Sequence, residues 1–319
     1  MREIIVSANE AGQRFDKLLA KYLNEAPKSF IYKMLRKKNI VLNNKKATGN
    51  EKLNIGDSVK LFLSEETIEK FSKNIVQHTG EKLSIIYEDD YIIIINKPIG
   101  MLSQKAKNDD ISLVEHLISH LLEEQKISEE DLRSFRPSIC NRLDRNTSGL
   151  VVAGKSLLGL QKMGELFKER SLKKYYRCLV VGELTKKQHL KGYLLKDPKT
   201  NKVIISNKEM PDSKPIETEY IPIWSNGKYT LLEVHLITGR THQIRAHLAS
   251  VMHPIVGDYK YGNRGVNQYF KETYGLKSQF LHAYRLEMPI LNDELMNLSQ
   301  RIFVAPLPEL FEKIITEER

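Results

Sequence analysis

Short apolar stretches at residues 83–87, 91–96, 150–153, 175–181, 203–206 and 229–236 read as β-strands, and they alternate irregularly with helical patterns at 112–122 and 157–168. That order predicts an α+β domain around an antiparallel or mixed sheet. The longest aliphatic run, residues 92–95, is far too short to cross a bilayer. The opening residues MREIIVSANEAGQRFDK hold no apolar leader segment, so a soluble protein with no membrane partner is expected. A chain of 319 residues, 41% of them apolar, has room for one large domain and a small one. Cys140 and Cys178 lie far apart and form no CxxC pair, which fits a reducing cytoplasm and argues against a disulfide framework or a zinc site.

Charge is concentrated at one end. Residues 1–63 carry 13 Lys and Arg against 6 Asp and Glu, a net +7 of the whole chain's +10. Phe15, Leu18, Leu19 and Tyr22 recur at helical spacing, and Ile31, Met34 and Leu35 repeat the pattern after Pro27. A strand follows at Ile40, Val41 and Leu42, a turn at Asn43 and Asn44, and a second turn at Gly56 and Asp57 before Val59, Lys60 and Leu61. The second helix bears Lys28, Lys33, Arg36, Lys37 and Lys38, which cannot all be buried and so form a positive surface suited to a polyanion. Residues 64–80 show no strong apolar period and end in Gly80, as a linker would, leaving 81–319 for the larger domain.

Residues 141–150, N-R-L-D-R-N-T-S-G-L, set Asp144 between Arg142 and Arg145, with Thr, Ser and Gly before an apolar strand. Neighbouring opposite charge favours the ionised form of a carboxylate, which can then act as a nucleophile or a base. An Asp in a turn more commonly caps the turn or pairs with a nearby Arg. Residues 236–248, L-I-T-G-R-T-H-Q-I-R-A-H-L, end a strand at Gly239 and begin a helix whose buried stripe is Ile244, Leu248 and Val251, with His242, Arg245 and Ala249 on another face. Donors and free amides gathered there make a seat for a phosphate or carboxylate. A metal reading of His242, His247 and His253 fails on spacing, because residues 242 and 247 do not share a helix face as residues four apart would.

The decapeptide resembles the signature of the RluA-type pseudouridine synthases, H-R-L-D-x-x-T-S-G-L, with Asn141 in place of the His. The later segment resembles the same family's L-x-T-G-R-T-H-Q-I-R-x-H-L, and Asn96-Lys97-Pro98 with Gly100 resembles its first motif. Lys174-Tyr175-Tyr176 is similar to the family's K-x-Y, whose spacing points to Tyr176 as the active-site tyrosine, with Tyr175 as the fallback. Segments around His253, Asp258, Tyr261 and His282 extend the likeness and read as structural. Residues 12–63 resemble the small RNA-binding domain named after ribosomal protein S-four, also called the αL motif.

The resemblance implies isomerisation of uridine to pseudouridine in RNA with no cofactor and no metal. Asp144 would begin it, either by attacking the ribose or by removing a ribose proton, with Arg245 orienting the carboxylate. Tyr176 would stack on the uracil and help remove the proton at carbon 5, with Ile244 on the base's other side. Arg142 would enter the RNA stack where the uridine has flipped out, and Arg240 and His242 would bind substrate. An αL domain joined to such a catalytic domain implies large-subunit ribosomal RNA or its precursor particle as partner, and a monomer is expected. A non-catalytic ribosome-assembly factor on the same fold would not need Asp144, Tyr176 and Arg245 together. A methyltransferase would need a nucleotide-cofactor loop, which the sequence does not offer.

Overall fold

The helical spacings near the N-terminus become α1 (Phe15–Tyr22) and α2 (Lys28–Arg36), packed on a four-stranded antiparallel sheet of β1 (Arg2–Ile5), β2 (Ile40–Leu42), β3 (Lys45–Lys46) and β4 (Ser58–Leu61). The structure is a computed structural model and describes residues 1–72, 78–197, 200 and 202–319. Phe15, Leu19, Ile31, Leu35, Ile40 and Leu61 share one apolar cluster. Asn43 and Asn44 take φ of +50° and +60°, the backbone that closes a two-residue hairpin between β2 and β3. Lys28, Lys33, Arg36, Lys37 and Lys38 are all exposed.

Part of the stretch read as a linker is a helix. Within α3 (Glu65–Phe71) Ile68 is buried against the N-terminal cluster, and Phe71 meets Phe30 with ring centroids 4.6 Å apart. Ser64 caps it by accepting from the Thr67 N–H. Two apolar contacts in so short a helix are too few to show as a period. Residues 73–77 of that stretch lie outside the described residues. Polar contacts join this unit to the remainder: Ser134 Oγ donates to Glu10 at 2.6 Å, and Tyr22 Oη to Glu130 at 3.2 Å.

The remainder is a mixed sheet of β5 (Ile85–Glu88), β6 (Ile92–Lys97), β7 (Ser138–Ile139), β8 (Ser148–Gly154), β9 (Lys173–Val181), β10 (Gln188–Lys196), β11 (Val203–Ser206), β12 (Lys214–Ser225), β13 (Tyr229–Leu236), β14 (Leu281–Glu287) and β15 (Ile302–Val304). The order is β11-β10-β12-β13-β9-β14-β8-β6-β5, with β15 on β14 and β7 on β8. Among the described strand pairs only β14 and β8 run parallel. Around the sheet lie α4 (Leu113–Glu123), α5 (Asp131–Ser134), α6 (Leu157–Glu169), α7 (Gln243–Ser250), α8 (Arg264–Tyr274) and α9 (Glu309–Glu318). Among the described residues no helix is long and apolar enough to cross a membrane.

Alternation along the central strands divides the core. Ile93, Ile95, Val151 and Ala153 face Leu117 of α4 and Leu248 of α7, while Ile92, Ile94, Leu150 and Val152 face Met163 of α6 and Phe303 of β15. With both faces covered, β6 and β8 read as unbroken apolar runs. Gly149 permits the parallel contact, since its φ is +110° and a Cβ there would lie 2.2 Å from the carbonyl oxygen of Ala283 on β14.

Candidate active site

Asp144 stands on the loop between β7 and β8, and that loop is fastened along its whole length. Asn141, where the resembling signature has His, acts as a backbone mimic: its Oδ1 accepts the Val152 N–H at 2.8 Å and its Nδ2 donates to the Leu150 carbonyl at 3.3 Å. Leu143 exchanges two hydrogen bonds with the Ser103 hydroxyl, at 3.0 and 2.8 Å. Thr147 N–H donates to the Asp144 carbonyl, and Gln279 Nε2 donates to the Thr147 hydroxyl. His282 Nε2 lies 3.2 Å from the Ala305 carbonyl, an acceptor, so this nitrogen carries the hydrogen and Ser148 Oγ donates to Nδ1 at 2.8 Å. The Thr-Ser-Gly of the signature thus binds the loop to β14.

Across from the loop, α7 supplies Arg245. Its Nη1 donates to Asp144 Oδ2 at 2.8 Å, while Nε and Nη2 form a bidentate pair with Asp258 at 2.7 and 2.9 Å. The Asp258 side chain is 0% exposed and that of Arg245 9%, whereas Asp144 is 26% exposed and open to a ligand. A buried guanidinium is therefore fixed by one carboxylate and aimed at another that solvent can reach, the arrangement of an oriented nucleophile or base. Gln243 staples the helix start, accepting from Thr238 and the Arg240 N–H and donating to the Glu217 carbonyl and Thr218.

The helix departs from the expected pattern. It ends at Ser250, so Val251 is its C-cap, and residues 243–248 are buried on every side rather than along one stripe. His242 precedes it at φ +54°, a left-handed backbone uncommon for a side-chain-bearing residue, with Nε2 3.9 Å from Asp144 Oδ2 and Nδ1 3.0 Å from Tyr261 Oη. His247 and His253 look elsewhere, to Thr218 and the Val181 carbonyl. Among the described residues no three His, Cys, Asp or Glu side chains are grouped to hold a metal.

Tyr176 and Ile244 belong to one buried cluster on the Asp144 side of the sheet. Tyr175 points the other way, stacked on His235 at 4.8 Å with Arg285 4.0 Å over its ring. Burial, reinforced by the charge of Asp144, holds the Tyr176 phenol protonated well above its ordinary range. Burial also lowers His242, against the pull of Asp144, so its imidazole is neutral near pH 7. Arg142 and Arg240 are exposed at the rim and are not drawn into the cluster.

The sequence profile of the RNA pseudouridylate synthases matches residues 91–250, the span that contains Asp144, Tyr176 and Arg245. Ribosomal large subunit pseudouridine synthase C of Vibrio parahaemolyticus is 31% identical over 322 residues, covering 97% of this chain and 94% of its own. An uncharacterised RNA pseudouridine synthase of Mycoplasma pneumoniae is 33% identical over 315 residues, covering 95% and 94%. The chain belongs to the RNA pseudouridylate synthase family. Human RNA pseudouridylate synthase domain containing 4 shares the fold, with a TM-score of 0.59 at 21% identity over 74% of this chain and 93% of that one.

In this pseudouridine synthase, two residues join the site that the sequence does not declare as part of it. Asp258 anchors Arg245 rather than serving structure alone. Lys97, fully buried, donates from Nζ to the carbonyls of Pro98, Met101 and Arg145 at 2.9, 2.9 and 3.2 Å, tying the turn after β6 to the Asp144 loop. Burial pulls its ammonium down to about 7, and Asp144 opposes the shift. The Asp-x-x-Tyr spacing of 258–261 and the Lys before Pro98 are the signals that point to them.

Proposed function

We propose that Asp144 is the nucleophile, with Arg245, Tyr176, Ile244, His242, Arg240 and Arg142 as its substrate-handling partners, and that the substrate is large-subunit ribosomal RNA. The observation that carries this reading is the 2.8 Å contact from the buried Arg245 to the half-open Asp144 carboxylate. In the reaction the bond from ribose carbon 1′ to uracil nitrogen 1 breaks, carbon 1′ is rejoined to carbon 5, the hydrogen on carbon 5 leaves, and nitrogen 1 gains one. No electrons are exchanged, so positioning, proton transfer and confinement of the detached base carry the catalysis.

Asp144 Oδ1 is left to reach the ribose while Arg245 occupies Oδ2. Tyr176 and Ile244 bound the slot for the base, and Tyr176 is placed to assist loss of the carbon 5 hydrogen. Arg142, exposed beside the carboxylate, fills the stack vacated by the flipped uridine. Residues 1–63, with α3 packed on them, act as an αL-type RNA-binding unit presenting Lys28, Lys33, Arg36, Lys37 and Lys38, and 81–319 as the catalytic unit of a cytoplasmic monomer. The full-length similarity to enzymes named for the ribosomal large subunit supports this substrate.

The experiment is release of tritium from carbon 5 of labelled uridines in large-subunit ribosomal RNA, by wild type and by Asp144→Asn. Release by wild type alone, with RNA binding retained in the variant, is the expected result. Turnover by purified Asp144→Asn overturns the nucleophile assignment, and release only from another class of RNA overturns the substrate.

A further inference from the structure

Tyr261 sits outside the set of groups that face the substrate, yet its hydroxyl is joined to one that does. Tyr261 Oη accepts the Val203 N–H at 2.9 Å and lies 3.0 Å from His242 Nδ1. The other imidazole nitrogen, Nε2, is 3.9 Å from Asp144 Oδ2. Asp258, which anchors Arg245, also accepts the Tyr261 N–H at 3.1 Å, so the phenol is held in the same frame as the guanidinium. His242 keeps its left-handed φ of +54° at this point, and its side chain is only 10% exposed.

Each donor can be counted. A neutral imidazole has one N–H and a phenol one O–H. Were Nδ1 the protonated nitrogen, the phenol would accept from both Val203 and His242, and its own hydrogen would have no acceptor among the described contacts. Nε2 would then turn a lone pair toward the Asp144 carboxylate. With the hydrogen on Nε2, Tyr261 accepts from Val203 and donates to Nδ1, so the phenol's hydrogen is used, and the ring turns an N–H instead of a lone pair toward the Asp144 carboxylate, which is the electrostatically favoured face. Which nitrogen of a histidine is protonated is set by the hydrogen bond that the other one makes.

We infer that Tyr261 is a positioning residue that fixes His242 as the Nε2–H tautomer, so that His242 offers a hydrogen-bond donor beside Asp144 where the uridine enters. The 3.9 Å gap is longer than a hydrogen bond and closes when the Asp144 carboxylate or a substrate oxygen moves against it. This role rests on Asp144 as the nucleophile.

Two measurements on the full chain test it. In ¹⁵N-histidine-labelled enzyme, the His242 ring should show Nδ1 unprotonated and Nε2 protonated at pH 7.5, and Tyr261→Phe should bring in the other tautomer. A wild-type ring protonated at Nδ1 overturns the inference. Tyr261→Phe should lower kcat about ten-fold, the worth of one hydrogen bond to a charged group, with KM unchanged.

Because Tyr261→Phe also unpairs the Val203 N–H, the same substitution is made in a His242→Gln background, where a side-chain amide supplies the donor without any tautomer to fix. There it should cost little further activity, while His242→Asn, too short to reach, stays slow. An equal loss from Tyr261→Phe in both backgrounds marks a purely structural role and overturns the inference. Turnover by Asp144→Asn would instead remove the nucleophile assignment and leave the ring's tautomer as measured.

Discussion

Replacing Asp258 by Ala should damage stability far more than replacing Asp144 by Asn, although both carboxylates bind the same arginine. Asp258 is fully buried and holds Arg245 through two hydrogen bonds, and it also accepts the Lys260 and Tyr261 amides at 2.9 and 3.1 Å. Removing it leaves a guanidinium whose side chain is only 9% exposed with Asp144 as its remaining carboxylate partner, and leaves two amides without their acceptor. Breaking a buried pair from one side costs about 3–5 kcal/mol. For a chain of 319 residues that corresponds to a fall in Tm of about 4–8 °C. Asp144 is 26% exposed and makes a single contact to Arg245, so Asp144→Asn should cost about 1 kcal/mol, or about 1.5 °C. Calorimetric unfolding of the two variants and wild type in one buffer measures the difference, and tritium release at 20 °C measures turnover. The expected pattern is a contrast: Asp144→Asn nearly as stable as wild type and inactive, Asp258→Ala markedly less stable with kcat reduced because Arg245 is no longer aimed. Equal Tm values for the two variants would refute the claim that Asp258 is the anchor of the pair.

Burial lowers His247 and His282 to about 4, so the unfolded chain, with histidines near 6.5, binds more protons between those values. Stability should therefore fall as pH drops from about 6.5 to 4, on the order of 3 kcal/mol per group at the acid end. Urea midpoints at pH 7 and 4.5 check this, and a slope unchanged in His247→Gln would count against it. Lys97→Met removes an ammonium whose burial costs on the order of 5 kcal/mol, but also three charge-assisted hydrogen bonds worth about 4.5–9 kcal/mol together, so over most of that range the bonds outweigh the burial. The variant should unfold earlier and turn over more slowly, and a more stable Lys97→Met would reverse that ranking. Neutralising Lys33, Arg36 and Lys37 together should flatten the salt dependence of RNA binding, by up to about 0.7 in log–log slope for each phosphate no longer neutralised. An unchanged slope would mean that this face of α2 meets no phosphate.

The strands at 203–206 and 229–236 were legible to the residue because branched and aromatic side chains meet turn residues at their ends. By contrast, β10 and β12 were not, although they are among the longest in the sheet. Their sequences QHLKGYLLK and KPIETEYIPIWS leave one face to solvent, with His189, Lys191, Glu217 and Glu219 paired across it, which breaks up the apolar signal. Helix α8 packs Val266, Phe270 and Tyr274 on the core at four-residue spacing, but charged and polar residues between them, and Asn267 buried beside them, dilute the apolar count of the segment. At the site, side-chain chemistry was readable and backbone convergence was not. Asp144 and Arg245 stand in segments whose residue types announce charge, but the carbonyls that receive Lys97 come from Pro98, Met101 and Arg145, and no residue type encodes where a carbonyl points. Asn141 makes the same point from the other side, since its bonds to β8 depend on backbone groups of Leu150 and Val152.

The sheet register explains why these separate segments meet at all. Ala283 on β14 is paired with Tyr176 on one side and with Gly149 on the other, so the tyrosine and the glycine that ends the Asp144 loop lie two strands apart in one row, about 10 Å between backbones. Any side chain at 149 would meet the Ala283 carbonyl at 2.2 Å and push β8 away, lengthening that row and moving Asp144 from Tyr176. Arg245 cannot compensate, because Asp258 holds two of its three nitrogens. The distance between Asp144 and Tyr176, the two groups proposed to engage ribose and base, is thus set by strand spacing and one missing Cβ, which gives a physical reason for glycine at this position of the signature.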